Sequence, residues 1–154
     1  MSGEIATNKK ARRDYHILEK FEAGIDLKGT EVKSIRAGHV NIRDAFARVD
    51  KNQLFLYGCD IQPWQTAGAY FQHEAKRPRR LLMHRKEILK LEQDNAIKGT
   101  TLVCLRMYWK GRHVKVEIGL AKGKTHNDQR QDIKERTEMR EATREMARFN
   151  KGYR

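Results

Sequence analysis

After Val114, Val116 and Ile118, which alternate with polar residues as a half-buried strand does, the chain runs into Gly123-Lys124-Thr125-His126-Asn127-Asp128-Gln129-Arg130 and then a long charged segment. From Asp132 to Arg154 the only large apolar residues are Ile133, Met139, Met146, Phe149 and Tyr153. They are too few to repay the entropy of ordering a separate core. The junction therefore divides a folded body from a tail that takes its structure from a partner.

A chain of 154 residues holds one domain and one core. Its 33 Lys and Arg against 20 Asp and Glu leave a net charge of +13, the footprint of a polyanion binder. No apolar run approaches the roughly 18 residues of a spanning helix, and the cations are not confined to an amphipathic stripe with aromatic anchors. Nucleic acid is the expected partner, and no membrane is. Met1 to Lys10 lacks the apolar stretch of a signal peptide, and Cys59 and Cys104, both in strand-like runs, read as reduced core thiols of a cytoplasmic protein.

Along the body, residues 1–12 read as a flexible basic leader ending in Lys9-Lys10-Ala11-Arg12-Arg13. Tyr15 to Leu27 reads as strand with a break near Ala23-Gly24, and Gly29 to Gly38 as a short helix capped by Thr30 and stopped by Gly38. Ala45 to Val49 and Leu54 to Cys59 flank the turn chemistry of Asp50-Lys51-Asn52-Gln53. Pro63 to Lys76 shows no period and is expected as loop. Leu81 to Leu91 is an amphipathic helix, with Leu81-Leu82-Met83 as an extended alternative. Thr101 to Trp109 and His113 to Leu120 form a second hairpin about Lys110-Gly111-Arg112. Mostly β with helices, this order predicts a six-stranded barrel of the oligonucleotide-binding type over residues 13–122, with a charged tail over 123–154 that is disordered when free and can become helical.

No reaction is supported. Gly119 to Thr125 resembles a phosphate-binding loop, but three residues separate Gly119 from Gly123 where that loop needs four, and the sequence runs on through polar residues where that loop leads straight into a helix. The six histidines share no metal-ligand spacing with one another or with either cysteine, so no metal site, catalytic residue or cofactor is expected. Nothing would orient His113 toward Cys104, and Glu22 and Asp26 in strand geometry point outward. What remains is basic charge next to possible stacking groups: the leader cations, the helix from Glu31 to Arg36, Lys76-Arg77-Pro78-Arg79-Arg80, and Lys122, Lys124 and Arg130, with Tyr15, Trp64, Tyr70 and Tyr108 as aromatic candidates.

Asn8-Lys9-Lys10-Ala11, Phe21-Glu22-Ala23-Gly24, Gly29 with Glu31 to Gly38, Asn41-Ile42, Arg80-Leu81-Leu82, Tyr108-Trp109-Lys110, Lys115 to Gly119 and Ala121 to Lys124 follow one another in an order and at intervals that resemble the small protein B family. Together they cover the body from the leader to the tail junction. The resemblance implies a barrel that clasps the transfer-RNA-like part of transfer-messenger RNA, delivers it to stalled ribosomes and starts trans-translation, reading shape and backbone. By the family's motifs it implies RNA contacts at Glu22, Leu82 and Lys115, with plain core packing as the alternative for Leu82; further RNA contacts are expected at Lys9, Lys10, Arg13, Lys33, Arg36, Asn41, Lys122 and Lys124.

The resemblance further implies a tail that becomes helical in the empty messenger channel of the small subunit, near the decoding centre, using His126, Asp128, Gln129, Arg130, Arg136, Arg140 and Met146. Residue spacing agrees: Met139, Ala142, Met146, Phe149 and Tyr153 fall on one stripe, and Arg136, Arg140, Arg144 and Arg148 on a four-spaced ridge. Asp132 with Arg136, Glu141 with Arg144 and Glu145 with Arg148 are helix-compatible pairs of about 0.2–0.5 kcal/mol each. Thr125, Asn127 and Gln129 depart from the family's pattern and remove two cations and a stacking group. The chain is expected to be a monomer when free, and a structural ribosomal or general single-strand RNA-binding barrel is the competing reading.

Overall fold

The computed structural model describes residues 2–64, 72–96 and 99–152. The chain forms two compact units, Met1–Gly123 and Lys124–Arg154. In the first, the strands are β1 (Ser2–Thr7), β2 (Tyr15–Ile25), β3 (Val40–Asn41), β4 (Phe46–Asp50), β5 (Gln53–Tyr57), β6 (Asp60–Ile61), β7 (Arg79–Leu82), β8 (Thr100–Lys110) and β9 (His113–Gly123). Helices α1 (Lys9–Asp14), α2 (Gly29–Arg36) and α3 (Arg85–Asn95) connect them, and α4 (His126–Gly152) makes the second unit.

Every pairing in the main sheet is antiparallel, in the order β1-β8-β4-β5-β7-β2-β9, and β9 pairs again with β8. That last pairing closes β8, β4, β5, β7, β2 and β9 into a six-stranded ring, the barrel the strand count predicts. One edge of β8 is shared along its length: β4 takes Leu102 and Val103, and β1 takes Arg106 to Lys110. Closure leaves no long edge open within the ring. The interior is filled from alternate positions, including Leu54, Leu56, Leu81, Leu102, Met107, Val116 and Ile118. Cys59 and Cys104 are free and buried there, and burial first of all pushes the Cys59 thiol up to about 11.

Several local expectations change. Ser2–Thr7 is a strand rather than a loose leader, because the end of β8 has an unused ladder for it. Buried Asn8 then anchors α1: its Oδ1 accepts from Ala11 N at 3.0 Å, and its Nδ2 donates to Ile42 O at 3.0 Å and Cys104 O at 2.9 Å. β2 runs unbroken to Ile25 and carries its irregularity between Ile17 and Glu19, not at Ala23-Gly24. Thr30 does not cap α2. The Glu31 carboxylate accepts from Lys28 N at 2.7 Å, while Thr30 Oγ1 meets His73 Nδ1 at 2.8 Å. The Lys51-Asn52 turn has both φ angles positive, at 48° and 64°, as a two-residue hairpin requires.

The helix read from Leu81 begins at Arg85 instead. Arg79 and Leu81 alternate inward on β7, which fills the gap between β5 and β2, so the extended alternative for Leu81-Leu82 is the one realised. Cys59 lies just beyond β5. Pro63, Trp64 and Gln72 to Lys76 are irregular, as expected for this stretch, and residues 65–71, with Tyr70, fall outside the described residues.

Candidate nucleic-acid interface

Outward side chains of β2, β7 and β9 meet around an open groove of about 680 Å³ lined by Lys20, Phe21, Glu22, Gly24, Leu82, Met83, His84, Glu87 and Lys115. Register puts them there: Gly24 pairs with Leu82 on one side and with Lys115 on the other. Gly24 has no side chain to separate them, and a Cβ at that position would stand 3.3 Å from the Leu82 Cβ and 3.5 Å from the Lys115 Nζ. Leu82 is 50% exposed, so it is not core; it presents an apolar surface beside an ammonium group.

Glu22 is held from both oxygens. The Tyr108 hydroxyl donates to Oε2 and Lys110 Nζ to Oε1 at 3.0 Å. The hydrogen bond from Tyr108, then that from Lys110, keeps the Glu22 carboxyl below its ordinary value, while burial and Glu22 push the Tyr108 phenol up to about 12. Arg106 lies 4.4 Å from the centre of the Tyr108 ring and donates to Glu117 at 3.0 Å; Lys20 approaches Glu117 at 3.9 Å. Glu22 and Glu117 face each other across β2 and β9, and the cations on either side of them offset the like-charge repulsion. The outer face of β2, β9 and β8 is thus a ladder of fixed charges in which Glu22 orients Tyr108 and Lys110.

The other sequence-derived positions are spread around the body. Lys9, Lys10 and Arg13 lie on α1, where Lys10 pairs with Asp44 at 3.0 Å and Arg13 with Asp14 at 3.1 Å. Lys33 and Arg36 are exposed on α2, and the Arg36 guanidinium sits 5.7 Å from the Trp109 ring centre. The Asn41 side chain accepts from Arg43 N at 2.9 Å, fixing a local turn. Lys122 is exposed near the end of β9.

The Lys76-Arg77-Pro78-Arg79-Arg80 run is not a single basic patch. Arg79 is wholly buried: Nε donates to Glu31 Oε2, Nη1 to Cys59 O at 2.7 Å and Nη2 to Ala75 O at 3.1 Å. Arg77 donates to the other Glu31 oxygen at 2.6 Å. Burial raises the Glu31 carboxyl, but the bonds from Arg77, Lys28 N and Arg79 outweigh it and hold the group below its usual range. His73 Nε2 faces the Ile61 carbonyl at 2.8 Å and so carries the proton. Two arginines of that run therefore staple α2 to the loop before β7, leaving Lys76 and Arg80 exposed. Period-two alternation with Leu81 was the signal that Arg79 points inward.

In the second unit, Lys124 pairs with Asp132, the residue expected to pair with Arg136. Thr125 and Asp128 cap α4 reciprocally, Thr125 N donating to Asp128 Oδ2 and Asp128 N to Thr125 Oγ1, both at 3.2 Å. Gln129, Arg130, Arg136, Arg140 and Met146 follow along the helix, and Met139 and Met146 are 75% and 72% exposed. His126 and Asn127 lie in the first turn; their side chains, and those of Phe149 and Tyr153, are outside the described ones. Among the described residues no cluster could hold a metal ion and no helix is long and apolar enough to cross a membrane.

A family model described as SmpB protein matches residues 5–148. The chain belongs to the SmpB family. It is 56% identical over 137 residues to the SsrA-binding protein of Carboxydothermus hydrogenoformans, covering 89% of this chain and 91% of that one. The SsrA-binding protein of Chloroflexus aurantiacus is 50% identical over 146 residues, covering 95% and 91%. A chain from the solved structure described as "tmRNA-SmpB: a journey to the center of the bacterial ribosome" superposes with a TM-score of 0.67 at 41% identity, over 84% of this chain and 94% of that one. The segments Phe21 to Gly24, Arg80 to Leu82 and Lys115 to Gly119 supply Phe21, Glu22, Gly24, Leu82 and Lys115 to the groove, and Lys20, Met83, His84 and Glu87 complete its lining.

Proposed function

We propose that this chain binds the transfer-RNA-like part of transfer-messenger RNA in the groove, brings that RNA to stalled ribosomes and uses α4 in the vacant messenger channel to start trans-translation. The observation that carries the RNA-binding part is the meeting of Glu22, Leu82 and Lys115, distant in sequence, around Gly24. Lys115 neutralises a backbone phosphate, Leu82 packs on a sugar or base face, and Glu22 holds the Lys110 ammonium as a donor and the Tyr108 hydroxyl oxygen as an acceptor at fixed positions. Such contacts recognise a folded shape, not a sequence. The role is positional and non-enzymatic, carried out in the cytoplasm by a monomeric protein. The family's members are SsrA-binding proteins by name, which supports this reading.

The test compares binding of transfer-messenger RNA with that of an unstructured RNA of equal length at physiological salt, using the full chain and one ending at Asn127. Both should prefer the folded RNA, and Lys115→Ala should weaken that binding and lower the slope of log affinity against log salt by about one. Equal affinity for the two RNAs would overturn the assignment in favour of a general single-strand binder. Rescue of stalled ribosomes should require the longer chain.

A further inference from the structure

A second cavity lies in the body, built by a different set of elements: about 450 Å³ between α1, the segment 43–46 and β8, lined by Asn8, Lys10, Tyr15, Arg43, Asp44 and Phe46 among others. This size falls within the roughly 300–1,000 Å³ of small-ligand sites. Its frame is tied down. Asn8 bonds Ile42 O and Cys104 O, Cys104 N donates to Ala45 O at 3.1 Å, and Gly58, at φ +73°, packs so tightly that a Cβ there would lie 2.5 Å from Asp44 O.

The lining has the parts a nucleotide needs. Phe46 is 36% exposed; its ring stacks on Tyr57 at 5.5 Å and lies 5.9 Å from the Arg48 guanidinium, and the residue borders the cavity, where Tyr15 is a second aromatic side chain. Lys10 and Arg43 line the cavity beside Asp14 and Asp44, and the Lys10 ammonium donates to Asp44 Oδ1 at 3.0 Å, so two cations stand at the mouth with two acids between which they can be shared. Asp14 and Asp44 can accept N–H donors from a base edge. Aromatic faces, cations for a phosphate and carboxylate acceptors in one rigid cavity favour an RNA base over an acidic peptide, which would use the cations and leave the rings idle.

We propose that this cavity takes one unpaired nucleotide of a bound RNA, its base stacked on Phe46 or Tyr15 and its phosphate on Lys10 and Arg43. The inference rests on the RNA-binding reading above but concerns a site other than the groove. Its test uses the full chain with an unstructured RNA of about eight nucleotides carrying 5-iodouridine, a photo-cross-linker that reacts with stacked aromatic rings. Cross-links should map to Phe46 or Tyr15. Phe46→Leu should weaken binding of this oligomer about 5- to 100-fold, and Arg43→Ala should lower the salt slope by about 0.7.

Cross-links at Phe21 or Tyr108, or at no aromatic ring, would overturn the proposal. So would an Arg43→Ala effect alongside a folded, fully active Phe46→Leu chain, which would mean charge alone. The cross-link map on the unmodified chain and Arg43→Ala at an exposed position decide the matter even if Phe46→Leu unfolds. If Lys115→Ala leaves transfer-messenger RNA binding untouched while the cross-link stays on Phe46, the groove assignment fails and the nucleotide pocket stands.

Discussion

The Tyr108 hydroxyl sets the ionisation of Glu22. Removing it in Tyr108→Phe deletes the largest effect that lowers the Glu22 carboxyl, so that group should titrate closer to its ordinary 4.5, a shift visible by carboxyl NMR. The sign follows from the depressed value: whatever the ionised Glu22 contributes is complete above 4.5 and is lost as pH falls through the lower folded value, and in the variant that contribution is smaller and its loss is complete at a higher pH. Glu31 is a harsher case. Glu31→Ala leaves the wholly buried Arg79 guanidinium without its carboxylate and should cost about 3–5 kcal/mol, read as a fall in denaturation midpoint. Polar residues such as these were the least legible in the sequence: Arg77 and Arg79 sit in a run with the composition of a surface patch, and only alternation with Leu81 separates a staple from a contact.

Caps decide where two helices begin. Asn8→Ala should cost about 1–2 kcal/mol through the lost cap, with more from the two carbonyls left unbonded, and hydrogen exchange in Ala11 to Arg13 should accelerate. Just before α4, the Thr125 hydroxyl accepts from Asp128 N and caps the helix. Thr125→Ala should lower the helicity of a peptide spanning 124–152 by an amount equivalent to about 1 kcal/mol, measured by circular dichroism. Hairpins were readable from turn chemistry, as Lys51-Asn52 and Gly111-Arg112 show. The start of α3 was not, because Leu81-Leu82 serves either a helix or a buried strand and only pairing with β2 and β5 decides.

For the whole molecule, the number of strands and the cost of free sheet edges make a closed barrel legible in the sequence, while β1 is not, because Ser2 to Thr7 has no strong β pattern and pairs with β8. The groove was legible only through the family motifs; no periodicity brings Glu22, Leu82 and Lys115 together. A barrel dominated by pairings between distant segments should refold in milliseconds to seconds, not microseconds, in stopped-flow experiments.

β9 is the strand that bonds to both β2 and β8, and it is the last of the body to be made. A ribosome assembling this chain from its first residue therefore releases β2 with its long edge open and must reach the end of β9 before the ring can shut. Any copy whose own synthesis halts before His113 is left with unpaired strands and bare apolar surface, marked by its physical state as material for proteolysis.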